Sequence, residues 1–146
     1  MTLKVVGRAE AYESVALKSR VDGQVAEVRF TEGQHVKKGE LLIQLDPADL
    51  ATRLQQAAAT SARDSALLDK TRADIARYTA LRERNFVSEE KVNDIRTNEA
   101  AAAANLKASQ AAAEVARLQL SYTTIRAPIT GIVGARLVFP GSSVKI

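Results

Sequence analysis

The stretch VDGQVAEVRFTEGQHV, residues 21–36, returns 108 residues later as ITGIVGARLVFPGSSV, residues 129–144. The two align without a gap. Gly23 falls on Gly131, Val25 on Val133, Gly33 on Gly141 and Val36 on Val144, while Val21 meets Ile129, one branched aliphatic for another. Branched residues punctuated by glycine read as short strands and turns. Two β-rich half-motifs this far apart predict one small β unit built in two halves. The segment between them is then an insertion that projects from the unit.

Around the first half the strand pattern extends over residues 15–46. Apolar and polar residues tend to alternate from Val15 to Val21, and Leu41, Ile43 and Leu45 sit two apart with Gln44 and Asp46 on the opposite face;. Gly23, Gly33 and Gly39 are read as turn positions in this half, and Gly131 and Gly141 as their counterparts in the second. Residues 1–14 carry a weaker pattern, a leading strand near Leu3 to Val6 followed by a turn at Gly7.

At Asp46-Pro47-Ala48-Asp49 the period changes. Asp46 suits an N-cap, because its carboxylate accepts a first-turn N–H. Pro47 suits the first helical position, where its missing N–H costs nothing, and Asp49 complements the positive end of the helix dipole. No Pro or Gly follows until Gly131, apart from Pro128 just before it. Asn85 is a left-handed stop for the first helix, and Ser88 caps a second one with Glu89 and Glu90 in its opening turn. The second helix extends to about Ser121.

Both helices carry residues at alternating spacings of three and four, the pattern of a coiled-coil seam. In the first they are Leu50, Leu54, Ala57, Ser61, Asp64, Leu68, Thr71, Ile75 and Tyr78; in the second Val92, Ile95, Glu99, Ala102, Leu106, Ser109, Ala113, Ala116 and Leu120. In an antiparallel pair, facing residues lie equidistant from the turn. Leu54 with Leu120, Leu68 with Leu106, and Tyr78 with Ile95 are all centred at residues 86–87, inside the independently placed turn. Asp64 and Glu99 interrupt the apolar seam and are read as reaching water at its edge. The many small seam residues bury little area, so two such helices alone are marginally stable.

Composition agrees with a thin molecule. Hydrophobic residues make up 46% of the 146, but aromatics only 4%, with alanine supplying much of the apolar share; that argues against one large globular core. The net charge of +4 is modest, and without a basic stripe interleaved with aromatics no nucleic-acid partner is expected. The absence of cysteine removes disulfides and thiolate metal sites;. No run of about 18 apolar residues is present to span a membrane, and Met1-Thr2-Leu3, without a charged-then-apolar pattern, is not expected to be a signal peptide;. The sequence reaches Ile146 just after the second half-motif, and it is expected to be a segment of a longer protein. His35, the single histidine, is read as an exposed turn residue rather than a ligand. No phosphate loop, zinc-protease helix or serine elbow occurs, so neither catalysis nor a cofactor is expected.

The β half-motifs follow the pattern Gly33-x2-Val36-x-Lys38-Gly39-x2-Leu42-x2-Leu45-Asp46, then Ile125-x-Ala127-Pro128-x2-Gly131-x-Val133, then Gly141-x2-Val144. This resembles the biotinyl/lipoyl-carrier fold cut in two. Carriers bear their prosthetic group on a lysine at the tight turn between the halves. Here that turn is replaced by the helices, and the first lysine after Asp46 is Lys70, deep in the first of them; carrier chemistry is therefore not expected.

A split lipoyl unit with a helical insertion resembles the membrane fusion proteins, the periplasmic adaptor subunits of tripartite efflux and secretion systems. The resemblance covers nearly all of Val15 to Val144. It implies an α+β fold in which residues 15–46 and 122–146 form a split biotinyl/lipoyl-like β-sandwich. Residues 47–121 form a long antiparallel coiled-coil α-hairpin turning near 85–88, and residues 1–14 belong to the remainder of a flanking β-barrel.

Adaptors that meet an outer-membrane channel of the efflux-duct type carry Arg, Leu and Ser at fixed spacing around the hairpin turn, and this sequence has Arg77-x3-Leu81-x6-Ser88. The resemblance thus implies channel docking through Arg77, Leu81 and Ser88, and contact with an inner-membrane transporter through domains outside this segment. It also implies self-association of protomers into a ring, and a periplasmic location with the parent protein anchored to the inner membrane. The arm length resembles adaptors of resistance-nodulation-division pumps more than those of type I secretion. Adaptors of ATP-driven or secretion-type exporters remain the alternative, with a carrier-like domain or a coiled-coil scaffold further behind.

Overall fold

A computed structural model describes residues 13–135 and 138–145. The leading strand expected within residues 1–14 lies almost wholly outside the described residues. The elements in order are β1 (Gly23–Val28), β2 (His35–Val36), β3 (Leu41–Leu45), α1 (Ala48–Glu83), α2 (Glu89–Ser121), β4 (Thr124–Arg126), β5 (Gly131–Ile132) and β6 (Ser143–Val144). All strand pairs are antiparallel. One sheet has the order β4-β3-β1-β6 and the other pairs β2 with β5. Each strand after the helices therefore completes a sheet begun before them.

The sequence repeat is an approximate two-fold axis in the β unit. Gly23 pairs with Val144 and Gln24 with Ser143; the repeat maps these onto Gly131 with Val36 and Ile132 with His35, which also pair. The Val25 N–H donates to the Ser142 carbonyl at 2.8 Å, and its counterpart Val133 donates to Gln34 at 2.9 Å. The turns match as well. The Gln34 N–H donates to Thr31 O and the Ser142 N–H to Phe139 O, while the Gln34 and Ser142 side chains accept from the N–H groups of Thr31 and Phe139.

Of the five glycines read as turn positions, Gly33, Gly39 and Gly141 hold positive φ, at 77°, 86° and 87°, where a Cβ is strained. Gly23 and Gly131 correct that reading: they open β1 and β5 as paired strand residues without positive φ. The strand expected over Val15–Val21 also does not form. Among the described residues, 13–19 pair with no strand of either sheet, and Val15 and Leu17 are exposed. Alternation marks a face but supplies no partner strand for its hydrogen bonds.

Two small clusters make the core of the β unit. Phe30, Val36, Leu42 and Ala127 form one. Val21, Val25 and Leu45 form the other, and against it pack Leu50 at the root of α1 and Tyr122 at the root of α2. Thr123 ties the root of α2 to β3: the Leu45 N–H donates to Thr123 O at 2.8 Å, and the Thr123 hydroxyl donates to Leu120 O at 2.7 Å. The helices thus leave the β unit from a fixed footing.

Pro47 is the N-cap of α1 rather than its first helical residue, and the Asp46 carboxylate accepts the Ala48 N–H at 3.0 Å. The capping function is as expected, one residue displaced. The 36 residues of α1 and 33 of α2 give each helix a length of about 50 Å. They run antiparallel, since ion pairs join Arg82 to Glu89 near the turn and Arg72 to Glu99 further down. Every residue of the expected seam is buried or half-buried, while most of the remaining helix surface is exposed.

Asp64 corrects the expectation of a solvated carboxylate. It is only 7% exposed. Its Oδ1 accepts from Arg63 Nη2 at 2.9 Å and Nε at 3.1 Å. These bonds, with a further one from Ser109 of α2, hold the carboxyl below its usual pKa;. The Ser109 hydroxyl itself donates to Leu106 O at 3.0 Å. Glu99, half-buried, is paired with Arg72 at 3.3 Å. Charge is tolerated in this seam because every buried side-chain polar atom among the described residues is partnered.

Candidate functional site

The end of the helix pair farthest from the β unit is built by three local signals. Asn85 adopts φ 59°, a left-handed conformation that Asn enters more readily than other side-chain-bearing residues. The Asn85 N–H then donates to Arg82 O at 2.9 Å and the Phe86 N–H to Leu81 O at 2.9 Å, the two crossed bonds of a Schellman close. Ser88 stands in extended backbone (φ −76°, ψ 158°) and its hydroxyl accepts the Lys91 N–H at 3.2 Å. Glu89 and Glu90 fill the first turn of α2, where the helix dipole favours them. Four residues, 85–88, separate Arg84, the C-cap of α1, from Glu89, the first residue of α2.

Arg77, Leu81 and Ser88 all lie at this end. Arg77 and Leu81 are four apart on one face of the last turns of α1, the spacing that stacks side chains. Arg77 is already engaged: Nη2 donates to Asp74 Oδ1 at 2.7 Å, and the guanidinium lies 5.5 Å from the centre of the Tyr78 ring. Its side chain is nonetheless 65% exposed, so the donors pointing away from Asp74 face solvent. Leu81 is half-buried and Ser88 exposed. No hydrogen bond links Arg77 to Ser88; what unites the three is the turn, through the Leu81 carbonyl and the Ser88 cap.

One residue at this end escaped the sequence reading. Phe86 is 72% exposed. It sits in the turn, outside either seam, and therefore outside any periodicity; its only sequence signal is a large aromatic directly after a helix stop. His35 is exposed, as expected, but belongs to β2 and pairs with Ile132 rather than sitting in the turn. Among the described residues no group of three or more His, Cys, Asp or Glu side chains is placed to hold a metal ion, and no helix is long and apolar enough to cross a membrane.

With this geometry in place, similarity to known proteins is informative. Residues 13–146 match the family model of the RND MFP, barrel-sandwich hybrid domain. The multidrug resistance protein MdtA of Klebsiella pneumoniae is 40% identical over 140 residues, which cover 96% of this chain and 34% of that protein; the chain thus spans about a third of the length of the curated relatives it matches. Among solved structures, a MacA-MexA chimera containing the Pseudomonas aeruginosa MexA α-hairpin domain superimposes with a TM-score of 0.65 at 33% identity, over 94% of this chain and 44% of the chimera. ZneB from Cupriavidus metallidurans shares the fold, with a TM-score of 0.64 at 21% identity over 90% of this chain and 56% of its own.

Proposed function

This chain belongs to the RND membrane fusion proteins, and on that premise we propose that it is the reach of a periplasmic adaptor in a tripartite efflux pump. In this reading the parent protein is anchored to the inner membrane and links a transporter there to an outer-membrane channel. Residues 15–46 and 122–146 act as one lipoyl-like unit. The two helices are a coiled-coil hairpin whose tip meets the channel through Arg77, Leu81 and Ser88. The work done is assembly and sealing of a duct, with no chemistry on the exported compound and no cofactor.

The observation that carries the reading is the tip itself. A turn with backbone hydrogen bonds on both sides is held by two helices about 50 Å long, on a base whose strands clasp both helix roots. Such a turn places a few side chains at a fixed distance from the base. A Leu buried by a partner contributes about 1.5–3 kcal/mol, and the Arg fork supplies oriented donors to partner carbonyls or carboxylates.

Self-association into a ring is supported by a second stripe on α2. Ala101, Ala104, Ala108, Ala111, Val115 and Leu118 repeat at spacings of three and four and are all exposed, a face left open after the first seam is filled. The match to the RND family favours a proton-driven pump over an ATP-driven exporter as the transporter.

The test is Leu81→Asp in the full-length protein, expressed with a compatible transporter and channel in cells lacking their own adaptor. Drug export should be lost while thermal unfolding of the purified variant is unchanged. Wild-type export by a folded Leu81→Asp protein would remove channel docking from the reading.

A further inference from the structure

Phe86 stands apart from the other exposed apolar residues because its exposure is unusual for its own motif. In a Schellman close, the residue after the left-handed position commonly folds back onto the helix three or four residues before the cap, so that its apolar side chain is covered. Here those roles fall to Phe86 and Leu81, and the Phe86 N–H to Leu81 O bond is made at 2.9 Å. The ring nevertheless remains 72% exposed. The backbone motif is complete, and the hydrophobic contact that usually accompanies it leaves most of the ring in water.

The backbone that carries the ring is held on both sides. Asn85 at φ 59° sets the direction of the chain into Phe86, and Ser88 pins the chain two residues later by accepting the Lys91 N–H. Arg82 reaches Glu89 across the turn at 3.7 Å. An aromatic carried on such a turn loses little backbone freedom on binding, a condition that favours conversion of apolar contact into affinity. A phenyl ring has no polar handle, so its complement is an apolar cleft. Arg82, Glu89 and the exposed Arg84 around it fit the polar rim that surrounds such an anchor.

We propose that Phe86 is the apolar anchor of the tip, inserting into an apolar cleft at the open end of the outer-membrane channel. This rests on the docking reading above and adds a residue and a partner chemistry to it. Arg77 and Leu81 then orient the approach from α1, and Phe86 supplies most of the newly buried apolar surface.

The experiment measures drug export by the full-length protein carrying Phe86→Ala, Phe86→Gln, Phe86→Leu or Leu81→Asp, with thermal unfolding of each purified variant. Phe86→Ala and Phe86→Gln should unfold as wild type does while weakening tip–channel affinity by about tenfold or more, read as lost export. Phe86→Leu, which keeps apolar bulk, should recover most of it. Export at the wild-type level by the Ala and Gln variants, with Leu81→Asp inactive, would overturn the anchor and leave docking intact. Wild-type export by all of the variants would remove both. Lowered unfolding temperatures for both the Ala and Gln variants would show that the ring serves the fold, and would equally overturn the proposal.

Discussion

The β base and the helix pair are held together by opposite means. The base contains three of the fully buried large side chains, Leu42, Leu45 and Val25, in two clusters drawn from both ends of the described chain, against one, Val92, in the helices. Its pairings join residues such as Gly23 and Val144, so closing it costs the entropy of a very long loop. The helices need no such closure, because their backbone bonds are local. Their seam is thin, however, with Ala102, Ala113 and Ala116 buried where larger residues would stabilise more;. The lesson of the difference is a division of labour. The helices form the shape and the base makes it persist, by holding together two roots that the seam alone would let fray.

That dependence is directional and can be broken from one side. Leu45 is 1% exposed and packs in the cluster that receives Leu50 and Tyr122. Leu45→Ala should destabilise the protein by about 2–5 kcal/mol, and hydrogen exchange should accelerate in β1, β3 and both helix roots together. Leu68→Ala in the seam should cost nearer about 2 kcal/mol, because a seam open to solvent on its flanks can collapse onto a smaller residue. Its faster exchange should stay within the helices. If Leu68→Ala loosened the base as much as Leu45→Ala does, the division of labour would be wrong.

The same comparison explains which features were legible in the sequence. The two half-motifs were visible because both preserve the same hydrogen-bond partners, from Gly33 and Gly141 in the turns to Val36 and Val144 in the strands. The helix seam was visible because a spacing of three and four is itself the geometry of contact. Three things were not visible. Val15–Val21 alternates like a strand, but pairing requires a neighbour that alternation does not specify. Asp64 reads as solvated because Ser109, one of the two hydrogen-bond donors that lower its pKa, lies 45 residues away. Phe86 belongs to a turn, where no period separates a buried ring from a presented one. The tip residues Arg77, Leu81 and Ser88 were read from a family resemblance, and the helix geometry alone would not have singled them out.

A sharper test of the base uses its internal symmetry. Gly33 and Gly141 occupy equivalent turns at φ 77° and 87°, and a Cβ added at either would meet nothing within 4 Å. Replacement by Ala therefore costs backbone strain and not a clash, about 1–2 kcal/mol at each site. The two variants should have nearly equal unfolding temperatures. A clear inequality would show that the halves, although matched in hydrogen bonding, carry different loads.

The smallest effect is confined to acid and belongs to the seam. The Asp64 carboxyl is held below its ordinary pKa by hydrogen bonds from Arg63 and Ser109. A carboxylate whose folded pKa is depressed binds protons more readily in the unfolded chain, so folding is favoured while both states are ionised. That contribution is complete above the unfolded value near 3.8 and is lost as the pH falls through the lower folded value. Asp64→Asn removes the titrating group but keeps a side chain of the same shape. Near neutral pH the wild type should therefore be the more stable of the two, by a constant margin. Below about pH 4 that margin should shrink with acidification, and the change should appear in the helix amides before those of β1 and β3. A margin that stayed the same from neutral pH down to pH values well below the carboxylate range would mean that the Arg63 and Ser109 contacts do not discriminate between the charged and neutral forms. Asp64 would then be a packing residue of the seam, and the electrostatic contrast between the helices and their base would disappear.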